Sequence, residues 1–208
     1  KDTLRIDPMI DVLLGRLPMV FVPAQPGNHD ATVAGITELA STMGSHDALL
    51  IFPEGGNFTE RRRELGIERL REAGLEEAAE RARALEHLLP PRPGGVGAAL
   101  RAAPTSDVVV VAHTGLEQLT DLRALWRDIP VAKTLYVGWQ VHPAADVPTG
   151  TAELSSWLFD RWTEVDAWID AVADVHAWPV RDVPAFGDLT PANAPGRVGR
   201  RRRAPPAS

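Results

Sequence analysis

The sequence predicts a single α/β layer domain, and three observations predict it. Apolar runs too short for helices recur at Leu49–Phe52 and Val108–Ala112. Segments with apolar residues at three- and four-residue spacing alternate with them. At 208 residues the chain is long enough for one substantial core, and its apolar and charged fractions are those of a globular protein.

Taken in order, Asp7 caps and Pro8 opens a first helix, whose Met9, Ile10, Val12, Leu13 and Leu14 supply the apolar content before Gly15 stops it. Met19–Val22 reads as a short buried strand, followed by a loop of Pro23, Pro26, Gly27 and Asn28. Asp30 is placed to cap a helix from Ala31 to about Met43, where Val33, Ile36, Leu39 and Ala40 face one side and Gly44 follows. A central strand, Leu49–Phe52, comes next.

From Thr59 to Leu88 Glu and Arg alternate around sparse apolar positions, interrupted by Gly74. This predicts a solvent-facing helical hairpin laid over the sheet. Pro90, Pro91 and Pro93 end it, and Gly94-Gly95 open a small-residue helix, Val96–Ala103, able to pack closely. Asp107–His113, with four valines in succession, is the clearest buried strand. Leu116–Trp126 has the spacing of an amphipathic helix. Thr134–His142 alternates Leu135, Val137, Trp139 and Val141 with Tyr136, Gly138, Gln140 and His142, the pattern of a strand near an edge with one covered face. A long helix runs from Thr151 to about Ala177, with Trp157, Trp162 and Trp168 expected in its core-facing stripe or at a lipid interface. Beyond Pro179 the composition turns to Pro, Gly, Ala and Arg, so the domain is expected over 1–178 with a tail over 179–208.

A formal net charge of −6 argues against a nucleic-acid binder. Arg197, Arg200, Arg201, Arg202 and Arg203 crowd the tail, where they suit solvent or an anionic bilayer surface. With no cysteine there is no disulfide, thiolate nucleophile or Cys metal site, and no apolar run is long enough to span a bilayer. His113 and His142 end strands, but no carboxylate stands at ligand spacing from them, so no metal site is expected.

The most informative stretch is Ala48–Asn57. Its apolar run ends at Pro53, then come Glu54, Gly55, Gly56 and Asn57. A carboxylate followed by bare backbone N–H groups at a strand end suits a polar or phosphorylated ligand, and equally an ordinary strand-to-loop turn. Phe52-Pro53-Glu54-Gly55 resembles the Phe-Pro-Glu-Gly motif of the glycerolipid and lysophospholipid acyltransferases. The Leu88–Gly95 block and the strand Val108–Ala112 follow in that family's order and rough spacing, so the resemblance covers about residues 1–170.

The resemblance implies a mixed, mostly parallel sheet wrapped by helices. It also implies transfer of an acyl chain from an acyl-CoA or acyl carrier protein thioester to a lysophospholipid such as 1-acylglycerol 3-phosphate, at the cytoplasmic face of a membrane. That reaction uses a His with an Asp five residues on, to take the acceptor's proton. The residues five beyond His29, His46, His87, His113, His142 and His176 are Ala34, Ile51, Arg92, Gln118, Val147 and Arg181. No catalytic residue is therefore assigned in this chain; the dyad is expected upstream of Lys1, and the chain alone is expected to be inactive.

Family members carry Phe-Ile-Asp-Arg where this chain has Phe21-Val22-Pro23-Ala24, and Thr-Arg where it has Gly56-Asn57, so the phosphate-binding Arg is open. Arg16, Lys1, Arg62 and Arg92 are the candidates, with Arg61–Arg63 placed to compensate within one turn. Glu54 is assigned to holding the acceptor's polar head, beside Gly55, Gly56 and Asn57; the alternative is a helix cap or a partner of Arg92. The rival function is a non-catalytic relative that binds a lipid or a partner protein. A soluble hydrolase is disfavoured, because no Gly-x-Ser-x-Gly elbow occurs.

Overall fold

The computed structural model describes residues 29–115 and 135–173. The elements expected at 7–14, 19–22 and 116–126, the end of the last helix, Lys1, Arg16 and the Arg-rich tail lie outside them. Within them are five α-helices, α1 His29–Ser41, α2 Glu60–Glu72, α3 Glu76–Ala84, α4 Pro93–Ala102 and α5 Thr151–Ala173. Two strands, β1 Val108–Thr114 and β2 Tyr136–His142, form one antiparallel sheet, and a 3₁₀ turn at Ala144–Asp146 follows β2.

This corrects the expected sheet. The described part is 56% helical, with a two-stranded antiparallel sheet in place of a mixed, mostly parallel one. Leu49–Phe52 is not a strand: Leu50 and Phe52 are 73% and 75% exposed, and only Leu49 and Ile51 turn partly inward. A strand needs a neighbour to take its backbone N–H and C=O groups, and among the described residues the one ladder is β1 with β2.

The core is built on α5. Its Leu154, Leu158, Trp162, Val165, Trp168, Ile169 and Val172 are buried, and Phe159 is buried in a separate cluster. On one side Val165, Trp168, Ile169 and Val172 pack against Val110 and Ala112 of β1. On another, Leu154, Leu158 and Trp162 pack with Leu85, Val96 and Val147. The tryptophans of α5 therefore serve the interior.

The α2–α3 hairpin forms as its charge pattern predicts. Thr59 caps α2 by accepting the Arg62 N–H at 3.3 Å, and Gly74 takes a positive φ of 73° in the turn. It lies on α5 and not on the sheet, through Ile67, Ala79 and Ala82 against Phe159. Arg63 Nη1 donates to Leu85 O at 2.6 Å, which ties α2 to the end of α3, and Arg81 Nη2 donates to Asp160 at 2.6 Å, which ties α3 to α5.

The small residues of α4 do what their size permits. A Cβ on Gly95 would stand 3.2 Å from Ile36 of α1, and one on Gly97 3.3 Å from Leu154 of α5, so α4 is wedged between its neighbours. Pro93 occupies the first turn, where its missing N–H costs nothing.

Both strands differ from expectation in which face they cover. The four valines alternate, Val108 and Val110 turned toward α5, Val109 and Val111 exposed. In β2 the apolar set Val137, Trp139 and Val141 is exposed, while Gly138 and His142 are buried. The register explains this: Val109 pairs with Val141 and Val111 with Trp139, so these residues share the face away from α5. Among the described residues one helix layer covers this sheet, on the other face.

Candidate functional site

The Phe-Pro-Glu-Gly stretch forms a tight turn, in which Gly55 N–H donates to Phe52 O at 3.1 Å. Pro53 supplies a fixed φ, and Gly55 has φ 69°, a conformation costly for any residue with a Cβ. The turn is fastened to the connector between α3 and α4. Arg92 N–H donates to Pro53 O at 3.1 Å and Leu89 N–H to Glu54 Oε2 at 3.0 Å. A Cβ on Gly55 would meet the Arg92 guanidinium at 3.1 Å, so that side chain lies over the glycine. The structure thus brings Glu54, Gly55 and Arg92 together.

Glu54 does not present an empty carboxylate to a ligand. One oxygen holds a backbone N–H, and burial pushes its carboxyl above the usual range. The Leu89 N–H opposes that rise and the nearby Asp166 charge adds to it. What this geometry displays is neither a helix cap nor a pair with Arg92 but a side-chain bond to the Leu89 N–H that ties the loop to the connector.

Asp166 completes the fastening from α5 and was not foreseen. Its oxygens accept the Glu86 N–H at 3.0 and 3.2 Å and the His87 N–H at 2.8 Å, while Asp170 bonds His87 Nε2 at 2.8 Å. Burial raises the Asp166 pKa, against the two N–H bonds that lower it. The signal was present: Asp166 falls four residues after Trp162 and three before Ile169, at core spacing, where an acid needs partners. Glu86, His87 and Asp170 place ligand atoms within 4.8 Å of one another, two of which already bond each other. His113 and His142 lie on opposite faces of the sheet and cannot share an ion.

The second half of the motif opens on a groove. Arg62 Nη1 donates to Asn57 O at 3.0 Å, and its guanidinium lies 3.2 Å from where a Gly56 Cβ would be. Asn57, Phe58, Thr59, Arg61, Arg62 and Leu65 line an open cavity of about 460 Å³. Two cations therefore stand beside two half-exposed apolar side chains, Phe58 and Leu65. Arg62 and Asn57 belong to this groove; Glu54, Gly55 and Arg92 form the fastening next to it. The pocket floor expected over Phe52–Asn57 is thus divided, with the cavity beyond Gly56 and none of its lining from the Arg92 turn.

A second polar cluster lies between β2 and α5. His142 is 7% exposed and meets Trp157 edge-on, ring centroids 4.9 Å apart. Its Nε2 has no hydrogen-bond partner among the described residues. Burial and the Arg161 charge lower its pKa, and Asp146 partly opposes them. Arg161 in turn stands over the Trp157 ring at 5.7 Å and pairs with Glu164 at 2.6 Å.

No protein-family model matches this chain, and neither a curated protein nor a solved structure does.

Proposed function

We propose that this chain supplies the acceptor-binding part of an acyltransferase, which moves an acyl group from an acyl-CoA or acyl carrier protein thioester to a lysophospholipid such as 1-acylglycerol 3-phosphate, working at the cytoplasmic face of a membrane. The observation that carries this reading is the groove after Gly56. Arg61 and Arg62 offer guanidinium groups for a phosphate, and Phe58 and Leu65 offer apolar surface for the chain attached to it. An anionic amphiphile matches both halves; a free sugar phosphate matches one and a neutral glyceride the other. The Phe52–Gly55 resemblance supplies the reaction class. No His of this chain has an Asp five residues on, so the part assigned to it here is binding and orientation of the acceptor.

Binding of 1-acylglycerol 3-phosphate, measured by calorimetry below its micelle concentration, tests it. Arg62→Gln is expected to weaken binding about tenfold, of the size of one lost charge-assisted pair. Glycerol 3-phosphate and monoacylglycerol are expected to bind at least tenfold more weakly than the lysophospholipid. Equal binding of monoacylglycerol, or an unchanged affinity in the Arg62 variant, would sink the proposal.

A further inference from the structure

His142 stands at a corner where β2, the 3₁₀ turn and α5 meet, apart from the groove and from the Glu54 fastening. It is the last residue of β2 and pairs with Val108, the first of β1, so it closes one end of the ladder. Its ring is buried edge-on against Trp157 of α5, and Nε2 has no hydrogen-bond partner among the described residues. Buried polar atoms ordinarily have partners, and one left without costs stability.

The charges around the ring are set against a second proton. Arg161 faces it from α5, where its charge disfavours an imidazolium, and is held in place by Glu164 at 2.6 Å. Asp146 of the 3₁₀ turn favours the imidazolium by its charge but does not bond Nε2. On β1 the facing residue is Val108, which carries no charge, and the adjoining Asp107 accepts the Ala144 N–H at 2.9 Å. Asp160, beside Arg161 in α5, is engaged by Arg81 of α3 at 2.6 Å. A proton added here therefore makes a buried cation next to another cation, with no acceptor for Nε2–H among the described residues.

We propose that His142 is a proton-operated latch, which holds the corner His142–Val147 on α5 while the ring is neutral and releases it when the ring takes a proton from solvent. The other holds on this corner are few. Val147 belongs to the cluster of Leu154, Leu158 and Trp162, and Ala144 is tied to Asp107. The rest of the sheet has its own anchorage, Val110 and Ala112 against Val165, Trp168, Ile169 and Val172, and the α2–α3 hairpin is held separately through Phe159. Opening can accordingly stop at the corner, as a local event that bares Trp157 and Val147 and leaves the remaining core packed.

Amide hydrogen exchange of the whole chain at pH 7.5 and 5.5, corrected for the intrinsic effect of pH on exchange, reads the corner apart from the hairpin. Protection of the Ala144 and Val147 N–H groups is expected to fall about tenfold or more at pH 5.5, while that of the Ala79 N–H changes less than about threefold. The fall is expected to vanish in His142→Phe and to persist in Asp107→Asn. An unchanged corner, a fall shared equally by Ala79, or a fall that survives His142→Phe overturns the proposal. So does its disappearance in Asp107→Asn, which would assign it to that carboxylate. If His142→Phe does not fold, Arg161→Gln decides: with the neighbouring cation gone the fall is expected to shrink below about threefold, and a fall that stays larger overturns the proposal.

Discussion

The role of Glu54 separates into an acceptor oxygen and a negative charge, and two substitutions pull them apart. Glu54→Ala removes the acceptor for the Leu89 N–H, and Leu89 is 5% exposed, so no water replaces it readily. An unpartnered buried donor costs about 1–3 kcal/mol, and the Ala variant is expected to lose about 2 kcal/mol of unfolding free energy at pH 7. Glu54→Gln keeps an oxygen in place and discards the charge. Because burial and Asp166 both disfavour that charge, the Gln variant is expected within about 1 kcal/mol of the native chain.

The pH dependence has a definite sign. A carboxyl with a raised folded pKa binds its proton more tightly when folded, so the native state carries more protons than the unfolded one between the ordinary value of 4.5 and the raised value. Its contribution to stability is thus present below the ordinary value and is lost as pH rises through the folded one. Asp166 and Glu164 are shifted in the same direction, so the informative quantity is the native chain minus the Gln variant. Urea unfolding followed by circular dichroism from pH 4 to 7.5 measures it. The reasoning is refuted if Ala costs less than about 0.5 kcal/mol, or if Gln costs as much as Ala.

Gly55→Ala places a Cβ at φ 69° and 3.1 Å from Arg92 Nη1, and is expected to cost about 1–2 kcal/mol in the same unfolding assay. Phe159→Ala empties the contact between α5 and the α2–α3 hairpin, for an expected loss of about 3–5 kcal/mol, with the hairpin becoming the first region to exchange amide hydrogens. His142 is buried with a lowered pKa, so its contribution is present above the ordinary value of 6.5 and is lost as pH falls below it; His142→Phe should flatten that acid-side slope in thermal melts from pH 5 to 8.

The helices were the legible part, because periodicity and caps are local. Thr59 and Gly74 mark boundaries that the structure keeps, whereas Pro93, read as an end of the hairpin, opens α4 instead, and the charged hairpin stops at Ala84 and lies on α5. The strands at 108–114 and 136–142 were legible, but which strands pair, and how, was not. An apolar run such as Leu49–Phe52 shows that a strand would be buried if partners exist, and carries no record of whether they do. Alternation in β2 likewise reveals two faces without saying which one a helix takes: Tyr136, Gly138, Gln140 and His142 turn toward α5 although the apolar residues are the other set. For the site, adjacency in sequence joined Glu54 to Asn57 in one pocket. The turn at Gly55 sends them to different sides, a distinction only three dimensions make.

The connector from Leu85 to Arg92 explains why the motif residues must sit where they do. Pro90 and Pro91 have no N–H to give, so this segment cannot brace itself with a ladder of its own. Glu86 and His87 instead donate to Asp166, Leu89 to Glu54, and Arg92 to Pro53 O. Two carboxylates and one carbonyl, drawn from α5 and from the motif loop, therefore hold a strap that neither neighbour could hold alone. The strap ends in Arg92, whose guanidinium covers Gly55, and Arg62 of the groove lies against the next glycine and bonds Asn57 O, so strap and groove meet the motif loop at adjacent residues. A change at Asp166 should accordingly reach the groove although Asp166 does not line it. An Asp166→Ala variant should weaken lysophospholipid binding together with stability, whereas Arg62→Gln should weaken binding alone, and finding the same pair of effects for both would break this link between the core helix and the groove.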